Sequence, residues 1–119
     1  MGVTMPAINF KRKFTAPVAS GKKRQTIRKR RKRPILKGDT LYLYSGMRTK
    51  QVLKLRDAKC IAVLPIVITK SLVTLDSKVL NIGEIDRLAK LDGFTTTEAF
   101  FQFFSDNYDF PFNGEVIKW

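Results

Sequence analysis

The sequence predicts a small α+β domain whose strands form a curled sheet or barrel. Strand-like runs fill most of the chain up to about residue 75, and two helical patterns follow close together near the end. The length, 119 residues, allows one hydrophobic core but not two. A hydrophobic fraction of 44%, with nine Phe, three Tyr and one Trp, is the composition of a folded chain. Residues 1–119 show no internal repeat or linker and read as a single domain.

Ala7-Ile8-Asn9-Phe10 reads as a short opening strand that exits through the basic Lys11-Arg12-Lys13. Phe14 to Ser20 has room for one helical turn, with Pro17 acceptable only near its start. Gly21 suits the end of that turn or a close approach of backbone to a ligand. Arg24 to Arg28 alternates about Thr26 and returns as a strand. A basic loop follows at about 28–37, because like charges repel along it and Pro34 interrupts any ladder. Lys37-Gly38-Asp39 turns into the strand Thr40-Leu41-Tyr42-Leu43-Tyr44, and Ser45 to Arg48 turns again. The longest strand-rich region runs from Thr49 to Leu75, and Pro65 within it demands a bulge, an edge position or a break. A short helix is expected over Glu84 to Leu91. A second is expected over Thr95 to Asn107, where Thr95 and Glu98 have capping-box spacing. Asn113-Gly114 reads as a turn before a closing strand, Glu115 to Trp119.

Charge is distributed unevenly. Residues 1–38 hold 13 Lys and Arg and no acid, whereas residues 39–119 hold ten of each sign. The whole excess of +13 therefore sits in the first third, which favours a polyanion as partner, most simply RNA or another nucleic acid. No stretch is apolar enough to span a bilayer, and the basic block lacks the apolar stripe of an interfacial helix, so no membrane partner is expected. One cysteine and no histidine exclude an intramolecular disulfide, a His/Cys zinc site, and a Ser-His or Cys-His pair. No metal or cofactor is implied. Cys60, inside Cys60-Ile61-Ala62-Val63-Leu64, reads as a small core residue. The opening residues lack the apolar core of a signal peptide, so a reducing, cytoplasmic setting and a monomer are expected.

Two constellations carry chemistry. Arg28-Lys29-Arg30-Arg31-Lys32-Arg33 is a run of cations suited to phosphate contacts, with Arg able to grip two oxygens at once. A solvated loop, or a nuclear localisation signal over Lys22 to Arg33, would read the same way. Gly21-x-Lys23-x-x-Thr26-x-Arg28 is more particular. A strand puts Thr26 and Arg28 on one face, and a turn at Gly21 folds Lys23 alongside them. An ammonium, a hydroxyl and a guanidinium then converge on an anion or a polarised carbonyl. Catalysis would also need a base, and the candidate carboxylates are Asp92, Asp39 and Glu98. Phe100, Phe101, Phe103, Phe104 and Tyr108 have near-helical spacing and read as core rather than as a base-stacking platform. Tyr42 and Tyr44 share a strand face that suits either role.

The chain also resembles the ASCH family. The resemblance runs through Gly21, Lys23, Thr26 and Arg28, then Gly38-Asp39 and Gly46-Met47-Arg48. It continues in Asp92-Gly93-Phe94-x-x-x-Glu98-x-Phe100 and in the closing Gly114 to Trp119. It implies a PUA-like fold, a small β-barrel with flanking short helices, and RNA binding in a cleft lined by the first motif. On that basis the nucleic-acid contacts are Gly21, Lys22, Lys23, Arg24, Thr26, Arg28, Lys29, Arg30, Arg31, Lys32, Arg33 and Arg48. One ASCH branch removes acyl groups from acylated cytidine with a Lys, a Thr and a Glu. Lys23 and Thr26 match the first two by position, and the glutamate falls on Asp92, one methylene shorter. The resemblance thus implies an alternative, an amidohydrolase on a modified nucleoside, with Thr26 as nucleophile, Lys23 as base and Asp92 as supporting acid or base. There Lys23 must be neutral near pH 7, which Arg24 and Arg28 would favour and Asp92 would oppose. A non-catalytic nucleotide- or protein-binding module is the third reading.

Overall fold

The computed structural model describes residues 6–119, and the expectation about the chain's start rests partly on residues 1–5, outside that range. β1 (Ala7–Phe10) leads through a 3₁₀ turn, Arg12–Phe14, into α1 (Thr15–Ser20) and β2 (Gln25–Lys29). After the basic loop come β3 (Thr40–Ser45), β4 (Leu53–Lys59), β5 (Ala62–Ile68), β6 (Val73–Leu75) and β7 (Lys78–Val79). α2 (Ile82–Leu91), α3 (Thr97–Asn107) and β8 (Phe112–Lys118) complete the α+β fold. The ladders fall into two sheets, ordered β1-β3-β4 and β2-β8-β5-β6-β7. Every pairing is antiparallel except β1 with β3.

Alternation builds the core. Ile8 and Phe10 of β1, and Leu41 and Leu43 of β3, turn one face of the smaller sheet inward. Ile66 and Ile68 of β5 and Val116 of β8 join the same core from the larger sheet. Cys60 lies where the chain passes from one sheet to the other, and its backbone exchanges hydrogen bonds with Gly38 and Asp39. It is buried, as a small core residue should be. Trp119 meets Phe10 edge-on, with ring centres 5.9 Å apart, so the chain's last residue packs against its first strand.

Pro65 lies within β5, an interior strand of the larger sheet, one residue beyond its ladder with β6. Its carbonyl accepts from the Asp76 N–H, so its nitrogen faces the same side, where the β6 ladder has already ended at Leu75. No ladder donor is lost there. Two expectations fail. Asn113-Gly114 is not a turn: β8 runs straight through it, pairing Gly114 with Lys29 and Ile66. A Cβ at Gly114 would collide with the Arg28 carbonyl and lie 2.7 Å from the Phe112 ring, so the glycine serves close strand packing. The N-cap of α3 is Thr96, not Thr95, with its hydroxyl accepting from the Ala99 N–H at 3.0 Å. Thr96 has the extended backbone a cap requires, which three consecutive threonines conceal in sequence. The reciprocal capping box lies instead on α2, between Asn81 and Glu84.

Candidate functional site

Two chain reversals assemble the site. α1 ends at Gly21, and the Lys23 N–H then donates to the Pro17 carbonyl at 3.0 Å, turning the Lys23 side chain inward ahead of β2. From the opposite side, α2 ends at Asp92 and Gly93 takes φ 98°. A Cβ at Gly93 would lie 2.9 Å from the Phe14 ring, so glycine lets the end of α2 press against the 3₁₀ turn. Asp92 is thereby delivered to Lys23.

The Lys23 ammonium donates to the Asp92 backbone carbonyl at 2.5 Å and lies 3.3 Å from its Oδ1. Gln25 Nε2 donates to the same Oδ1 at 3.3 Å. Lys23 is 2% exposed and Asp92 5%, so the pair is removed from water. Burial pushes the Lys23 pKa below its ordinary range, and the cations Arg28 and Lys13 add to this against the pull of Asp92. Burial likewise pushes the Asp92 carboxyl up, although Lys23 and Gln25 draw it down. Both shifts favour the neutral forms, so one proton transfer separates the ion pair from a neutral amine and acid.

Beside the pair, Arg28 Nε donates to Thr26 Oγ1 at 2.9 Å and Arg28 Nη2 donates to the Asn9 carbonyl at 2.7 Å. The Arg28 guanidinium also lies over the Phe10 ring at 4.9 Å. Lys23, Thr26, Arg28 and Asp92 all line one cavity of about 190 Å³, walled by Phe10, Phe14, Phe94, Phe103 and Tyr108. Further ammonium groups sit over these rings. Lys11 lies 4.8 Å from the centre of Phe103, Lys13 4.9 Å from Phe14 and 5.0 Å from Phe94, and Lys29 5.4 Å from Tyr108. The cavity therefore offers donors from Lys23, Thr26 and Arg28, an acceptor from Asp92, and aromatic faces covered by cations.

Four of the expected residues thus share one cavity. Of the candidate bases, only Asp92 reaches it: Asp39 accepts from the Leu36 N–H in the basic loop, and Glu98 is exposed on the first turn of α3. Gly21 caps α1 with its α-carbon toward Arg56, while Lys22, Arg24 and Arg48 are exposed and line no part of the cavity. Arg24 is not among the charges that lower Lys23; Arg28 and Lys13 are. Lys29 to Arg33 are exposed, and Arg31 reaches back to donate to the Ala7 carbonyl at 3.2 Å. Gln25, Asn9, Lys11 and Lys13 belong to the site although the motif does not name them. Gln25 opens β2 and joins the site through its hydrogen bond to Asp92, a partner 67 residues away that no local spacing signals.

Phe100 and Phe104 are buried, as expected of core, whereas the half-buried Phe103 forms part of the cavity wall. Tyr42 and Tyr44 stay half-buried on the smaller sheet, with the Lys54 ammonium 5.0 Å from the Tyr42 ring. Among the described residues no helix is long and apolar enough to cross a membrane. The chain matches no protein-family model, no curated protein and no solved structure.

Proposed function

We propose that this protein is an ASCH-type, PUA-like domain that binds single-stranded RNA through the cavity between β1 and β2. The observation that carries this reading is the interleaving of rings and cations: Phe14, Phe94, Phe103 and Tyr108 each lie beneath an ammonium group. A splayed nucleobase stacks on such faces, and the displaced ammonium groups then meet its phosphates. At about 190 Å³ the cavity is smaller than the roughly 300–1,000 Å³ of drug-sized ligand sites, which suits one base. The Arg28 guanidinium of β2 bridges the two sheets at β1, and Arg31 ties the basic loop to the same strand, which supports the curled, barrel-like arrangement of the family. The test is titration of a fluorescent single-stranded RNA followed by anisotropy. Lys11→Ala with Lys13→Ala should weaken binding to every sequence and reduce the salt slope by about 1.4. Absence of RNA binding even at low salt would sink the proposal.

A second reading is favoured by one observation: Lys23, Thr26 and Asp92 line the same cavity, and Lys23 is pushed toward its neutral, basic form. An amidohydrolase would take the Thr26 proton onto Lys23 as Thr26 Oγ1 attacks the acyl carbon; the amide C–N bond then breaks as Lys23 returns that proton to the departing cytidine amine, and water hydrolyses the acyl-Thr26 ester to release acetate. Against this, Lys23 is hydrogen-bonded to Asp92 and Thr26 to Arg28. Release of acetate from acetylated cytidine, lost in both Lys23→Ala and Thr26→Ala, is the expected sign of that activity. Turnover that survives Lys23→Ala excludes the mechanism.

A further inference from the structure

A second cavity, of about 250 Å³, lies on the other side of Arg28. Asn9 and Arg28 line both cavities, so the hydrogen bond from Arg28 Nη2 to the Asn9 carbonyl forms the partition between them. The second compartment has apolar walls from Ala7, Ile8, Ile35 and Ile117, and its cations are Arg28, Lys29 and Arg31. Lys29 belongs to both sides, because it lines this compartment while its ammonium lies over Tyr108, a wall of the first.

The partition has unused capacity. A guanidinium carries five N–H donors, and Arg28 directs one to Thr26 and one to Asn9, so three remain without a partner among the described residues. Phosphate oxygens match such a planar fork. Two compartments, each smaller than a drug-sized pocket, are thus divided by a guanidinium with free donors and flanked by an ammonium. From this arrangement we infer that the cleft binds two successive nucleotides, one in each compartment, with their linking phosphate held by Arg28 and Lys29. The inference rests on the RNA-binding reading above and specifies its ligand as a dinucleotide unit rather than an isolated nucleoside.

Isothermal titration of the intact protein tests it, using the four nucleosides, the four 3′-mononucleotides and the sixteen dinucleoside monophosphates, with a twelve-nucleotide single-stranded RNA as reference. The best dinucleoside monophosphate should bind at least about tenfold more tightly than the best mononucleotide, the effect of a charge-assisted contact plus a second filled compartment. Ala7→Phe, which fills the second compartment, should bring that ratio close to one. Lys29→Ala, at an exposed position on the end of β2, should lower the ratio too and provides the same readout if Ala7→Phe fails to fold. Equal affinity for mononucleotides and dinucleotides in the parent overturns the two-compartment site while leaving RNA binding intact. A ratio unmoved by either variant also overturns it. Failure of the twelve-nucleotide RNA itself to bind overturns the RNA-binding reading, and this inference with it.

Discussion

Lys23 and Asp92 are worth most as a test at the scale of single residues, because burying both charges costs more than a surface pair returns. Removing one partner leaves the other stranded, so Lys23→Met should cost about 3–5 kcal/mol. Replacing both, as Lys23→Met with Asp92→Leu, should be neutral or stabilising by about 1–4 kcal/mol. Chemical denaturation of the three proteins decides this, and a double variant as weak as the single one contradicts it. The pH dependence adds a sign. In Lys23→Met the Asp92 carboxyl, already pushed up by burial, loses the ammonium that draws it down. A carboxyl with a higher pKa folded than unfolded binds more protons in the folded state. Its contribution is therefore complete below the unfolded value, near 3.9, and is lost as pH rises through the folded one. The Tm of Lys23→Met should fall as pH is raised from about 4, and the double variant should not show that trend. Sequence placed Lys23, Thr26 and Arg28 together through turn and strand geometry. Whether burial or Asp92 governs Lys23 depends on solvent exclusion by Phe10 and Phe14, which motif spacing does not encode.

The elements obey simpler rules, and α3 shows both where sequence suffices and where it stops. Phe100 and Phe104 lie one turn apart and are buried, with ring centres 5.1 Å apart, so helical periodicity was enough to assign them to the core. Phe100→Ala should cost about 3–5 kcal/mol in thermal or chemical unfolding. Unchanged stability combined with lost RNA affinity would instead make Phe100 a stacking residue. The cap was less legible, because Thr95, Thr96 and Thr97 are chemically alike. Only Thr96 accepts from Ala99, so Thr96→Ala should cost about 1 kcal/mol and Thr95→Ala close to none. Equal losses would return the cap to Thr95. Asn113-Gly114 misled for a related reason: its composition is that of a turn, but the close approach of β2 to β8 requires a residue without a side chain.

At the scale of the whole molecule, charge asymmetry is the property most fully written in the sequence, whereas the surface that charge serves is not. All the excess lies in residues 1–38, and the fold turns the described part of that segment, residues 6–38, into β1, α1, β2 and the basic loop beside the cleft. Long-range pairing decides this placement: β2 lies against β8, some ninety residues later, and α2 supplies Asp92 from the far side. No local pattern in the basic block specifies either partner. The loop gives the last prediction. If Lys29 to Arg33 neutralise five phosphates of a single strand, log K should fall with log salt at a slope of about −3.5. Arg31 is tied to the Ala7 carbonyl and helps hold the loop against β1, so its removal would mix structure with charge. Arg30, Lys32 and Arg33 are exposed on the loop, and replacing these three with Ala removes charge with less risk to the fold. That variant should keep the parental Tm and flatten the slope by about 2. A parental slope near zero would remove the phosphate-binding role of the loop. An unchanged slope in the variant would instead confine the phosphate contacts to Arg28, Lys29 and the ammonium groups around the cavity.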